Sequence, residues 1–355
     1  MKKITNLPPI TVLLERWYDR HHRELPWRGT TDAYAIWISE IILQQTRVSQ
    51  GMDYYLRFIR RFPDVKTLAE ADEQEVLKLW QGLGYYSRAR NLHTAARQIR
   101  SRFGGRFPSD YNDILSLKGI GTYTAAAVAS IAFGAPYAVI DGNVLRVISR
   151  LFAIDTPINT AQGKKSIGAA AAALLDRDHP GKFNQAMMDF GATLCIPTQP
   201  RCESCPVRDY CMAFSQKAVT AFPVKNRKGS IRERFFHYFH IVHRGVTYIR
   251  KRDRADIWKN LFEFPLIETE KEMAFSQLLR REDFQQLFSS LPLTAAAVVS
   301  LDHKLTHQLI HARFYRIILP NDATLELPEP ILTIREEQLS EYPISRLTEK
   351  YLENI

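Results

Sequence analysis

All four cysteines of this 355-residue chain fall between residues 195 and 211, spaced Cys195-x6-Cys202-x2-Cys205-x5-Cys211. Any fold open to the chain must bring those thiols to one place. A disulfide framework spreads cysteines through a short secreted protein, whereas this chain is long and its opening, Met1 to Ile10, lacks the apolar core of an export signal. Clustered thiols therefore imply a metal-sulfur site. Zinc ribbons usually pair two C-x2-C knuckles across a longer gap. Here one C-x2-C is flanked on each side by a single cysteine, an asymmetry that fits a [4Fe-4S] cluster held by four thiolates better than zinc, which stays the alternative.

Composition narrows the setting. The length predicts two or three domains with more than one hydrophobic core. A formal net charge of +10 favours a polyanionic partner such as nucleic acid, although a basic surface also serves solubility. No stretch approaches the roughly 18 apolar residues of a membrane span, so the expectation is an intracellular protein of a reducing compartment with no membrane partner.

From Ile10 to about Phe214 apolar residues recur at spacings of three and four, punctuated by Pro and Gly, which predicts a helical half. The segment Ala218 to Arg234 carries a Pro, a Gly and a run of basic residues with little apolar periodicity, and reads as an interdomain linker. Beyond it, FFHYFHIV, GVTYIRKR and ARFYRIIL are short aromatic and β-branched runs, and Met273 to Leu287 reads as helical, so the second half is α+β.

Within the helical half, Gly119 and Gly121 sit in LKGIG between an expected helix Asp110 to Leu117 and another from Thr124 to Phe133. Such a turn can present amides at a helix N-terminus to a phosphate, and it can equally be a plain connection. Glu40 is expected on one continuous helix, Ala33 to Gln50, with Gln44 and Arg47 on the same face. Asp141 and Asn143 precede a helix from Val144 to Phe152, where either would ordinarily be a cap or turn residue.

Taken in order, LPWR (Leu25 to Arg28), SEIILQQT (Ser39 to Thr46), GLGYYSRARNLH (Gly82 to His93), LKGIG, IDGNV (Ile140 to Val144), FNQAMMDFGA (Phe183 to Ala192) and the cysteine loop resemble the helix-hairpin-helix DNA glycosylases of the endonuclease III superfamily, and within it the MutY family of adenine glycosylases. The resemblance spans nearly all of residues 10 to 214. It implies a helical glycosylase domain over 1–217, with the hairpin at about 110–133 and the [4Fe-4S] loop at 195–211, a basic linker over 218–234, and a Nudix-like domain over 235–355. It further implies that Glu40 and Asp141 face an extruded base, that Asn143 holds Asp141, that Gln185 reads the adenine, and that Arg28 also binds substrate. Gln45 and Tyr85 are implied to wedge beside the opposite base, and Lys118, Gly119 and Gly121 to contact a DNA phosphate.

That resemblance agrees with the chemistry of the residues. Cleaving an N-glycosidic bond needs a proton on the leaving base and negative charge near the sugar cation, which calls for two carboxylates in different states. Glu40, on a largely apolar helix, is the better acid, because at the unperturbed pKa of about 4.3 only about one molecule in 500 would hold the proton at pH 7. Asp141 is then the ionised partner. The bifunctional branch of the superfamily carries a lysine two residues after the second hairpin glycine. That position is Tyr123 here, and a phenol forms no imine, so a monofunctional glycosylase is expected.

In the second half, IWKNLFEFP (Ile257 to Pro265) and LDHKLTHQ (Leu301 to Gln308) resemble landmarks of the family's lesion-recognition domain, and no Nudix catalytic box is visible. The family commonly has Phe-Ser-His where this chain has Leu305-Thr306-His307, so Thr306 and His307 are the residues implied to examine the opposite base. The resemblance implies a monomer acting in the cytoplasm, at the nucleoid, on duplex DNA with adenine opposite 8-oxoguanine or guanine. Competing readings are an endonuclease III-type glycosylase and lyase for oxidised pyrimidines, and a catalytically silent iron-sulfur DNA-binding protein.

Overall fold

The computed structural model describes residues 9–226, 231–288, 297–323, 325, 327, 328 and 330–355. The chain forms two compact units, one of Met1–Glu70 with Thr94–Arg227, the other of Ala71–His93 with Lys228–Ile355. A composition shift at 218–234 predicts a single boundary and does not anticipate that Ala71–His93 groups with the second unit. Of the basic segment, residues 227–230 lie outside the described residues. No described helix is long and apolar enough to cross a membrane.

The first unit is helical. Its core is built by Pro9–His21, Thr122–Phe133, Gly142–Leu151 and Pro180–Thr193, which bury Leu14, Trp17, Ala126, Val147, Ile148, Phe183, Met187 and Phe190 together. Fully burying one such aliphatic or aromatic side chain contributes about 1.5 to 3 kcal/mol. Small residues let the helix backbones approach: a Cβ on Gly181 would lie 2.8 Å from the Ser130 carbonyl oxygen, and one on Gly191 would lie 2.6 Å from Asn143 Cβ. Three helices start at side-chain caps, with Asp110 accepting from the Asn112 amide, Asp141 from that of Val144 and Thr160 from that of Gly163, whereas Thr122–Phe133 and Pro180–Thr193 have none.

One expected element is corrected. The helix carrying Glu40 ends at Leu43, and a second begins at Val48, so no continuous helix runs from Ala33 to Gln50. Gln44 is a C-cap with extended ψ, and Gln45 takes a left-handed φ of 61°. Glu40, Gln44 and Arg47 therefore share no helical face. The two helices pack closely at the break, where a Cβ on Gly51 would meet the end of the Leu43 side chain, Cδ2, at 2.9 Å. The hairpin helices run Tyr111–Leu115 and Thr122–Phe133, each slightly offset from its predicted span.

Among the described residues the second unit is built on one mixed seven-stranded sheet of β1 (Arg232–His243), β2 (Val246–Lys251), β3 (Phe262–Glu263), β4 (Leu266–Thr269), β5 (Ala297–Lys304), β6 (Gln308–Ile318) and β7 (Ile331–Arg335). The order is β3-β2-β1-β6-β5, with β4 also on β1 and β7 on β2; β1 and β6 pair in parallel from Arg232 opposite Gln308 to Val242 opposite Ile318. The runs predicted as strands fall in β1, β2 and β6. The stretch Met273 to Leu287 is two short helices, Phe275–Leu278 and Glu282–Phe288, rather than one. Ala71–His93 is tied to this unit by Tyr86 donating to the Ile344 carbonyl at 3.1 Å and Lys78 to that of Tyr342 at 3.2 Å.

Candidate active site

Glu40 is 7 % exposed, on a helix whose every residue from Ile36 to Ile42 is buried. Burial raises its proton affinity; a hydrogen bond from the Tyr123 hydroxyl and the nearby charge of Arg28 partly offset this, and Asp141 adds to it. Tyr123 stands on the second turn-proximal position of Thr122–Phe133, its phenol beside Glu40 and 4.0 Å from Met188 Sδ. Burial and both carboxylates hold that phenol protonated, well above its ordinary range.

Asp141 caps the helix Gly142–Leu151. Its Oδ1 accepts from the Val144 amide at 2.6 Å and its Oδ2 from Asn143 Nδ2 at 2.8 Å. Burial raises its pKa too, against those hydrogen bonds and the charge of Arg146. The cap role expected of a lone Asp at this place and the site role implied by the family resemblance thus fall on one side chain. Arg146 donates to Asn143 Oδ1 at 2.9 Å, to the Gly191 carbonyl at 2.6 Å and to the Cys195 carbonyl at 2.8 Å, joining the Asp141 cap to the cysteine loop through one guanidinium.

Arg28 and Gln185 line an open cavity of ≈ 610 Å³ with Tyr18, His22 and Leu25. The Tyr18 hydroxyl donates to Gln185 Oε1 at 2.7 Å, which leaves the amide nitrogen of Gln185 as its donor end. Arg28 Nη2 pairs with the fully buried Asp189 at 2.9 Å.

The four cysteines line one apolar cavity of ≈ 30 Å³ together with Val147, Leu151, Phe190 and Val207. Among the described residues no group of His, Cys, Asp or Glu is arranged for a single metal ion. Burial pushes the Cys205 thiol up to about 12, and burial first, then the neighbouring thiols, raises Cys202 and Cys211. Four thiols gathered around one cavity are the donor chemistry of a metal cluster, which binds them as thiolates. Arg150, 2 % exposed, spreads over this loop: it donates to the carbonyls of Val219 at 3.1 Å, Ile196 at 2.7 Å and Pro197 at 2.9 Å, and reaches Cys195 Sγ at 3.4 Å.

At the hairpin, Gly119 takes a φ of 78° and exposed Gly121 caps the helix Thr122–Phe133, with no heavy atom within 4 Å of where its Cβ would be. The Lys118 side chain is on an exposed residue, while its amide donates to Gln98 Oε1 at 2.8 Å. Gln45 is exposed in the turn described above. In the second unit Tyr85 is 48 % exposed, has a left-handed φ of 49°, and its hydroxyl is hydrogen-bonded to Thr306 Oγ1. His307 is exposed, its carbonyl accepting from the Arg232 amide at 3.1 Å.

The sequence alone did not single out Tyr18, Arg146, Arg150 and Asp189, and it put Tyr123 among the expected catalytic residues without its hydrogen bond to Glu40. A signal existed: Arg146 and Arg150 stand at i and i+4 among the apolar residues of VLRVISRL, and Asp189 interrupts the apolar FNQAMMDFGA. Charges in such positions are buried only when paired.

A helical unit with a glycine hairpin, a helix-capping aspartate and a four-cysteine loop defines the base-excision class of helix-hairpin-helix proteins, and residues 38–168 match the family of HhH-GPD superfamily base excision DNA repair proteins. Residues 237–354 match the NUDIX domain. The chain is 31% identical to the solved structure of a thermostable thymine-DNA glycosylase, with a TM-score of 0.54 over 58% of this chain and 95% of that one. It is 33% identical over 309 residues to the adenine DNA glycosylase of Buchnera aphidicola subsp. Acyrthosiphon pisum (strain APS), covering 87% of this chain and 86% of that protein. To the Homo sapiens adenine DNA glycosylase it is 43% identical over 206 residues, 56% of this chain and 38% of that protein. The chain belongs to the adenine DNA glycosylase family.

Proposed function

We propose that this protein is a monofunctional DNA glycosylase that hydrolyses the N-glycosidic bond of adenine mispaired with 8-oxoguanine or guanine, leaving an abasic site. The observation that carries the reading is the pairing of a buried, proton-retaining Glu40 with an Asp141 whose carboxylate is bonded by the Val144 amide and Asn143. The charge of Asp141 raises the pKa of Glu40, and of the two carboxyls the one with more hydrogen-bond donors keeps the charge. Glu40 accordingly donates the proton to the departing base, and Asp141, oriented by Asn143, stabilises the oxocarbenium-like sugar. Tyr123 donates to Glu40 and holds its orientation, and without an amine it forms no imine.

Gln185 and Arg28 bind the extruded adenine in their shared cavity. Gln45 and Tyr85 fill the gap left in the stack, and Thr306 and His307 examine the opposite base. Lys118, Gly119 and Gly121 hold a phosphate at the hairpin, where the helix N-terminus favours an anion. Cys195, Cys202, Cys205 and Cys211 hold a [4Fe-4S] cluster, which supplies a rigid cross-link for the loop 195–211. The protein acts as a monomer on duplex DNA in the cytoplasm, at the nucleoid.

The test is a duplex with one adenine opposite 8-oxoguanine, assayed separately for free base and for strand breaks. Free adenine without breaks is expected, with loss of release in Glu40→Gln of at least the 10² typical of acid-base groups. Tyr123→Lys is expected to give an imine trapped by borohydride where the parent gives none. Breaks from the unaltered protein would overturn the reading.

A further inference from the structure

Asp189 is fully buried, with a side-chain exposure of 0%, and serves two arginines at once. Its Oδ2 accepts from the Arg23 amide at 3.1 Å; its Oδ1 accepts from Arg23 Nε at 3.2 Å, Arg23 Nη2 at 2.6 Å and Arg28 Nη2 at 2.9 Å. Both arginines belong to the segment between the helices Pro9–His21 and Ala33–Leu43, and Asp189 belongs to Pro180–Thr193, four residues and thus one turn beyond Gln185. The same face of that helix therefore presents Gln185 to Tyr18 and Asp189 to Arg28.

Arg28 is held by one end only. Its Nη2 is on Asp189, while its Nε is buried without a hydrogen-bond partner among the described residues. The charge of Arg28 reaches both Glu40 and Tyr123. A guanidinium with a spare donor, bound to one buried carboxyl while its charge acts on a second, is held where the first carboxyl binds it, and a carboxyl paired with an arginine loses its proton far more readily. A Glu40 paired in that way would be a poor acid.

We propose that Asp189 is a positioning residue that anchors Arg28 away from Glu40, so that Glu40 keeps the proton it delivers to the leaving base. This rests on the assignment of Glu40 as the acid. Arg23 completes the anchor by sharing Asp189, which leaves the carboxylate fully engaged in the cleft. The groups facing Glu40 are Tyr123 from Thr122–Phe133, Arg28 from the preceding segment and Asp141 from the cap of Gly142–Leu151. Those facing Asp189 are Arg23, Arg28 and, from Pro9–His21, Tyr18. Among these charged groups Arg28 is the cation that acts on both carboxyls, so it is the one whose placement sets how Glu40 titrates.

The experiment is the pH profile of single-turnover adenine release by the intact protein on a duplex with adenine opposite 8-oxoguanine. In Asp189→Asn, Arg28 turns to Glu40, and the alkaline limb of the profile moves to lower pH by about one pH unit or more, the effect of an arginine reaching a carboxyl. Adding Arg28→Gln to Asp189→Asn returns the limb to its original place or above it, a rescue that a general loss of structure would not give. Arg28→Gln alone, which leaves Asp189 paired with Arg23, moves the limb to higher pH and, if Asp189→Asn does not fold, still tests the action of the Arg28 charge on Glu40 that the proposal requires. A uniform drop in rate with the limb unmoved in these variants overturns the proposal. The parent limb should vanish in Glu40→Gln; if it persists there, the acid assignment falls and the proposal with it, whereas a limb that vanishes in Glu40→Gln yet ignores Asp189 and Arg28 sinks the positioning role alone.

Discussion

Gly191 stands so close to Asn143 that a methyl group on it would lie 2.6 Å from Asn143 Cβ and 3.1 Å from the Asn143 backbone. The contact brings Pro180–Thr193, which carries Gln185 and Asp189, against the start of the helix that Asp141 caps. Its partners are Asn143 Cβ and the Asn143 backbone, so no flexible side-chain end can yield.

Gly191→Ala is therefore expected to push Asn143 and, through it, Asp141 out of place. Overpacking of this kind costs about 1 to 3 kcal/mol, and a shift of the proposed sugar-facing carboxylate lowers the single-turnover rate by about tenfold or more. Thermal unfolding and single-turnover kinetics check it together. A variant that loses stability but keeps its rate would show that Asn143 does not transmit the displacement.

Much of this was legible in the residues. The cysteine spacing announced a shared site, and the order of the motifs carried the family. At Asp141 the local residues pointed to a cap, which the structure shows in its bond from the Val144 amide, and the family resemblance alone added a catalytic reading. The break after Leu43 was hidden because Gln44, Gln45 and Thr46 are compatible with helix, and the left-handed φ of 61° that turns the chain falls on Gln45, with no glycine or proline there to mark it. The grouping of Ala71–His93 with the sheet depends on hydrogen bonds to residues more than 250 positions away, such as Tyr86 to Ile344, which no local pattern encodes.

Removing the proposed cluster tests the loop. Cys202→Ser, or exhaustive chelation, should abolish visible iron-sulfur absorption and leave the carbonyls that Arg150 gathers around Cys195 without a fixed frame. Because Arg146 joins the Cys195 carbonyl to Asn143, adenine release should fall along with DNA affinity. Intact protein should contain iron and sulfide in equal amounts; zinc alone would sink the cluster assignment.

The bond between Tyr85 and Thr306 predicts coupling. Each hydroxyl partly fixes the other, so Tyr85→Phe and Thr306→Ala should each reduce preference for 8-oxoguanine over guanine, and the double variant should lose less than the sum. Contacting pairs show interaction energies of about 0.5 to 3 kcal/mol. Dissociation constants on matched duplexes give the cycle, and strict additivity would show that the two residues act separately.

The last prediction concerns pH and stability in the sheet. His237 is 1% exposed, and its imidazole lies near the Thr269 hydroxyl at 3.1 Å and stacks on Tyr315. Burial, then the charges of Arg313 and Arg281, pushes its pKa down to about 4. The unfolded chain takes up this proton near the ordinary value of about 6.5, whereas the folded chain resists until about 4. Stability from this residue is thus complete above the unfolded value and is lost as pH falls toward the folded one, by about 1.4 kcal/mol for each pH unit. Glu15, whose pKa is raised to about 7 by burial and Asp176, acts in the opposite sense over the same range, so the whole-protein curve mixes both signs. The difference between the unaltered protein and His237→Gln removes that mixture. Denaturant midpoints measured from neutral to mildly acid pH should converge between the two as pH falls, and a constant gap would show that His237 is not held neutral by the fold.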